Sequence, residues 1–195
     1  MSNIYSFAEL GRHVAEETAE VREQLNFRMR TGVYSKGLVH ELACHWVLRI
    51  YNVFSIYDEI EILEGSVRRR SMTKSAKKFR KPPLKGLWHK HHFQARFIPH
   101  NCLNGIEKEG YLQELLAPYS GMSVENASGA PTNKIIMSEF RQRAQAYIVT
   151  GEFIVYERQP DGSNYYLTLA EHSKWQEIRD LIDTYRALDQ QANLI

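Results

Sequence analysis

The sequence predicts an α+β fold, with N-terminal helices packed on a small antiparallel sheet and one more helix at the C-terminus. Three observations carry this expectation. Apolar residues recur at helical spacing through the first fifty residues, a hairpin signal stands at residues 153–169, and strands and helices do not alternate regularly. With 195 residues, 43% of them hydrophobic and 25% charged, the chain is expected to form a single domain, residues 1–195, around one core.

Each element has its local reason. Ser6-x-x-Glu9 is a capping box, and Leu10, Val14, Val21, Leu25 and Met29 follow it at helical spacing until Thr31-Gly32 stops the run. A second helix is expected from about Lys36 through Leu38, Leu42, Trp46, Val47, Ile50 and Phe54. Beyond it, Glu59, Ile60, Glu61 and Ile62 alternate as a strand would. Residues 65–83 are short of large apolar side chains, rich in cations and closed by Pro82-Pro83, which predicts a basic exposed loop or arm. Tyr111, Leu112, Leu115 and Leu116 suggest a short helix ended by Pro118, and residues 120–132 read as loop. Residues 135–149 suit a helix through Ile136, Phe140, Ala144 and Tyr147, although Tyr147 to Val149 also suit a strand. In the hairpin, Phe153 to Tyr156 and Tyr165 to Leu169 flank turn chemistry at Pro160 and Asp161-Gly162. Ser173-x-x-Gln176 then opens an amphipathic helix through Trp175, Ile178, Leu181, Ile182, Tyr185 and Leu188.

Charge is distributed unevenly. The formal net charge of +2 averages an acidic beginning with a strongly basic middle. Arg68, Arg69, Arg70, Lys74, Lys77, Lys78, Arg80, Lys81 and Lys85 precede four of the eight histidines: His89, His91, His92 and His100. Cys44 and Cys102 are the two cysteines, each among apolar neighbours, which suits reduced thiols in a cytoplasm. The first residues lack the pattern of a signal peptide and no run has the apolar length of a membrane span, so a soluble cytoplasmic protein with no membrane partner is expected.

Several chemistries find no support. His40-Glu41-Leu42-Ala43-Cys44-His45 resembles HExxH, but five positions separate its histidines, which puts them roughly 140° apart around a helix. They do not share one metal-binding face. Cys44 beside His45 is sequence adjacency only, since neighbouring helical side chains diverge by about 100°. Neither GxxxxGK[ST] nor GxGxxG occurs. The histidine cluster itself supplies two ligands at most. On a strand His89 and His91 share a face while Lys90 joins His92 opposite, and on a helix His89 and His92 are the close pair. No Asp or Glu stands nearby as a third ligand and Lys90 repels a cation, so no metal or other cofactor is expected.

Phosphodiester cleavage uses the same residues without a metal. Attack by the RNA 2′-hydroxyl needs a base, an acid for the leaving oxygen, and cations around the phosphate. His89, His91 and His92 are the candidate proton-transfer groups, with His91 and His89 first. Lys85 and Lys90 are candidate phosphate-holding groups in the same site. Arg68, Arg69, Arg70, Lys74, Lys77, Lys78, Arg80, Lys81 and Arg96 are candidate nucleic-acid contacts, and Trp88 or Phe93 could stack a base. The plainer alternative is a basic surface strand with solvated histidines.

The element order, helices first, then a basic histidine-bearing centre, then the hairpin 152–170, resembles that of the α+β nuclease toxins grouped around barnase, EndoU, the colicin nucleases and RelE. The resemblance implies a small antiparallel sheet that cleaves RNA without metal. It adds Glu152, Tyr156, Arg158, Thr168 and His172 as hairpin positions to test. The expected function is therefore a metal-independent ribonuclease, an intracellular bacterial toxin or defence effector. RNA is the expected partner, together with an acidic protein such as an antitoxin. The alternative is a non-catalytic module that binds nucleic acid or protein.

Overall fold

The computed structural model describes residues 6–98, 130–149 and 151–192. The expected helix at Tyr111–Leu116, His100 and Cys102 lie outside them, as does most of the loop expected at 120–132. The chain forms two compact units. One comprises Met1–Arg70, Ser75–His92 and Glu152–Ile195, and the other Ser71–Lys74 with Phe93–Gly151.

The first unit has the α+β architecture. Helix α1 (Phe7–Arg28) opens on the expected capping box, in which the Glu9 amide donates to Ser6 Oγ and the Ser6 amide to Glu9 Oε2. Strand β1 (Val33–Tyr34) and helix α2 (Lys36–Leu48) follow. The single helix expected to reach Phe54 is two, because Arg49 takes a left-handed conformation (φ 52°) that closes α2. Asn52 then accepts from the Phe54 amide and caps α3 (Val53–Leu63). An arginine at the left-handed position carries no stop signal, which hid the break. The strand-like alternation at 59–62 is helical: Glu59 is buried beside Ile60 because it has an ionic partner.

A five-stranded sheet has the order β1-β5-β4-β3-β2, with β2 (Lys77–Lys78), β3 (Trp88–His92), β4 (Glu152–Arg158) and β5 (Asn164–Ala170). All pairs are antiparallel except the parallel β1–β5 edge, so the sheet is mixed. The hairpin β4–β5 stands where its turn chemistry placed it. Helix α5 (Trp175–Ala192) begins two residues beyond Ser173.

The sheet is covered on both faces. Ile154, Tyr156 and Tyr166 pack with Leu25, Leu38, Leu42, Ile56, Tyr57 and Ile60 of α1–α3. Phe153, Val155, Leu167 and Ala170 pack with Ile178 and Ile182 of α5, and with Leu84 and Leu87 ahead of β3. The period of two along a strand sends successive side chains to these opposite layers. Between Val155 and Tyr156 the register slips, leaving Leu167 as the extra residue of a bulge. Helix α2 takes up the backbone there. Its cap Ser35 donates to the Leu167 carbonyl at 2.6 Å, and the Leu169 amide donates to Glu41 at 2.8 Å. Helix α2 also lies against α5, since a Cβ on Gly37 would stand 2.1 Å from the Tyr185 ring.

The connection from α1 to β1 is held by one carboxylate. Glu64 Oε2 accepts the amides of Arg30, Thr31 and Gly32, and its Oε1 accepts Tyr166 Oη–H and Asn164 Nδ2–H. Burial opposes the charge, but these donors outweigh it and hold the carboxyl below its ordinary value.

The second unit contains a 3₁₀ turn (Ala95–Phe97) and helix α4 (Ala130–Gln145). Thr73 bridges Val149 in parallel, and the rings of Phe93 and Phe140 stand 5.3 Å apart.

Candidate functional site

Strand β3 divides the histidine cluster between the two faces of the sheet. His89 and His91 lie opposite Val155 and Phe153 and share the α5 face. Lys90 and His92, opposite Ile154 and Glu152, share the α1–α3 face. The alternation expected for a strand holds, and the three histidines do not form one site.

On the α5 face the organising residue is Phe153. Its ring lies 4.7 Å from that of His89, 4.6 Å from His91 and 4.3 Å from His172, centroid to centroid. His172 follows β5 on the corner leading to α5 and is exposed. Its ring is 5.7 Å from His91, which is 6.0 Å from His89. Phe79 and Trp175 complete the wall, 4.4 Å from His89 and 5.8 Å from Phe153 respectively. Lys77 of β2 stands opposite His89 in register and is exposed. The cluster thus joins three imidazoles and an ammonium on one face, with His172 toward solvent.

Burial drives His89 down to about 4, and the charges of Lys77 and His172 push the same way. His89 Nδ1 is buried without a hydrogen-bond partner. The ring is therefore neutral near pH 7 and too weakly basic there for efficient proton transfer. Because its native value lies below the unfolded value of 6.5, its contribution to stability is complete above about pH 6.5 and is lost as pH falls toward 4. His89→Phe, which suits the aromatic wall, is expected to flatten this loss. Urea midpoints at pH 7 and pH 5 measure it, and an equal drop in both proteins would refute the assignment.

The opposite face holds a buried polar group. Lys90 Nζ lies 3.0 Å from Glu59 Oε2, with both side chains almost fully enclosed. Burial lowers the Lys90 pKa, against the opposing charge and hydrogen bond of Glu59. His92 is wholly buried. Its ring is 5.5 Å from Tyr51, which stacks on His45 at 4.1 Å and donates to Glu152 Oε2.

The other candidates spread out. Arg158 lies 4.0 Å over the Trp88 ring, which also lies against Tyr156, so Trp88 packs on the α1–α3 layer. Tyr156 is core, and Thr168 donates to Glu41. Arg69 pairs with Asp58 and Glu61. Arg68 and Arg70 are exposed, as are Lys78, Arg80, Lys81 and Lys85 around the β2–β3 connection, where Phe79, Leu84 and Leu87 anchor the chain. Lys74 and Arg96 belong to the second unit, where the Arg96 guanidinium lies 5.0 Å from the Phe97 ring.

An open cleft of about 990 Å³ lies at the β1 edge. Its Arg22, Lys36 and Arg186 are matched by Glu157, Asp161 and Asp189, so it lacks the cationic excess a polyanion needs. Among the described residues no group of three His, Cys, Asp or Glu is placed to hold a metal ion. No helix among them is long and apolar enough to cross a membrane.

Sequence reasoning ranked His172 below His92 and missed Phe79, Phe153 and Trp175. The available signal was the alternation of Phe153 with Ile154, which puts Phe153 on the face of His91 once the strands pair. The chain matches no protein-family model, no curated protein and no solved structure.

Proposed function

We propose that the protein is a metal-independent ribonuclease in which His91 and His172 are the acid–base pair and Lys77 holds phosphate. The observation that supports this most is the approach of the two imidazoles to 5.7 Å on one sheet face, the exposed ring standing over the more buried one. A pair so spaced can flank one phosphodiester, one ring taking the 2′-hydroxyl proton and the other protonating the leaving oxygen. Lys77, beside His89, supplies positive charge for the crowded phosphate. Exposed Lys78, Arg80, Lys81 and Lys85 extend a phosphate-binding track along the same connection. His89 serves this site as a neutral wall.

A second reading, RNA binding without cleavage, is favoured by the Phe153 ring, which fills the centre of the histidine cluster. One assay separates the two. Full-length protein is incubated with mixed single-stranded RNA in chelator across a pH series, alongside His91→Ala and His172→Ala. Cleavage by wild type and a loss of about a hundredfold to ten-thousandfold in each variant, at unchanged RNA affinity, is the expected result. Binding without cutting supports the second reading, and neither binding nor cutting overturns both.

A further inference from the structure

We infer that Glu41 is a positioning residue whose proton sets the β5–α5 corner that carries His172. The near-miss metal motif on α2 thus has another use. Glu41 Oε1 accepts Thr168 Oγ1–H at 2.6 Å and Tyr185 Oη–H at 3.1 Å, while Oε2 accepts the Leu169 amide at 2.8 Å. One carboxylate of α2 therefore clasps both elements that flank residues 171–174. Thr168 and Leu169 close β5 just before the corner, and Tyr185 lies on the helix that leaves it.

The hydrogen-bond inventory makes the clasp sensitive to a proton. An ionised carboxylate takes all three donors, whereas a protonated one must itself donate. The Leu169 amide cannot turn round, so a proton on Oε1, where both hydroxyls donate, makes one hydroxyl turn. Thr168 is suited to it, because its hydroxyl has a second acceptor in the Leu169 carbonyl at 3.0 Å. Protonation therefore rewrites the hydrogen bonding at the end of β5.

The titratable groups beside Glu41 come from α5 and from its own helix. Tyr185 faces it from α5 and Cys44 from its own helix. Burial, then Glu41 itself, raises both above their ordinary values of 10.0 and 9.0. β5 presents a hydroxyl and an amide. His40 touches Cys44 at 3.5 Å on the exposed side of α2. Burial pushes Glu41 up to about 7, against the three donors, so its charge changes in the neutral range. Its native value lies above the unfolded one, so its contribution to stability is complete below about 4.5 and is lost as pH rises through about 7.

For cleavage, the meaning of this coupling rests on the proposed role of His172; the coupling itself does not. The test needs no RNA. In His172→Gln, which removes that ring's own titration, the backbone amides of Ala170 and Glu171 and the Trp175 indole are followed by NMR from pH 5 to 9. They are expected to titrate together with a midpoint near 7, and Glu41→Gln in the same background to abolish the step. The Glu41 carboxyl carbon, followed in wild type, supplies the midpoint should the double variant fail to fold. A flat profile in His172→Gln, a step that survives Glu41→Gln, or a Glu41 midpoint at or below 5 overturns the inference. Absence of ribonuclease activity leaves these readouts unchanged, so the two failures are distinguishable.

Discussion

Glu59→Ala is expected to destabilise the protein by about 3–5 kcal/mol, because it leaves the Lys90 ammonium enclosed without its carboxylate. At 3% and 6% side-chain exposure both members are shielded from bulk solvent. Lys90→Met alone removes the ammonium that faces Glu59 and is expected to cost a comparable amount. Glu59→Met with Lys90→Met removes both desolvation penalties and is expected to recover most of the loss, since well-packed apolar pairs of similar volume often match a buried ion pair. Urea unfolding with unchanged m-values measures all three. A loss below about 1 kcal/mol in Glu59→Ala would show that the pair is not enclosed as described. The result also bears on function. Loss of the proposed cleavage in a Lys90 variant would report a damaged core, so Lys90 has to be tested for chemistry in the doubly apolar background.

Glu64→Ala is expected to cost about 2–4 kcal/mol, since five donors lose one acceptor and three of them are backbone amides of the α1–β1 connection. Glu64→Gln keeps one accepting oxygen and is expected to fall between. The pH dependence has a definite sign. The native carboxyl titrates below its ordinary value of 4.5, so its stabilisation is complete above about 4.5 and is lost as pH falls through the lower native value. Acid unfolding of Glu64→Ala is therefore expected to begin from a lower stability and to proceed with a shallower slope. Equal slopes in variant and wild type would separate Glu64 from acid sensitivity.

What could be read from the sequence was what neighbours in the chain decide. The Ser6–Glu9 box, the turn around Asp161-Gly162 and the stripe of Ile178, Ile182 and Tyr185 are local signals, and α1, the hairpin and α5 stand where they placed them. The break between α2 and α3 depends on one left-handed arginine, which no composition rule announces. Burial of Glu59 depends on Lys90, thirty-one positions away, and its alternation with Ile60 imitated a strand. The site shows the same division. That His89 and His91 share a face follows from strand period alone. That His172 joins them depends on β3 pairing with β4, a register set by residues separated by the whole of 93–151. The same period sends His92, with Lys90, to the other side of the sheet.

The two outer strands of the sheet are each two residues long, and one of them is a pair of exposed lysines. So short an edge offers another molecule almost no ladder to extend, and two adjacent ammonium groups repel an approaching copy of the same edge. The strongly β-forming hairpin Phe153–Tyr156 and Tyr165–Leu169 lies inside these borders, and beyond β1 the side chains of Ser35 and Glu41 occupy the Leu167 carbonyl and the Leu169 amide. Lys77 stands at both places, an exposed charge on the outer strand and a charge beside His89. Replacing it with a β-branched apolar residue would remove that charge and turn a guarded border into an adhesive one.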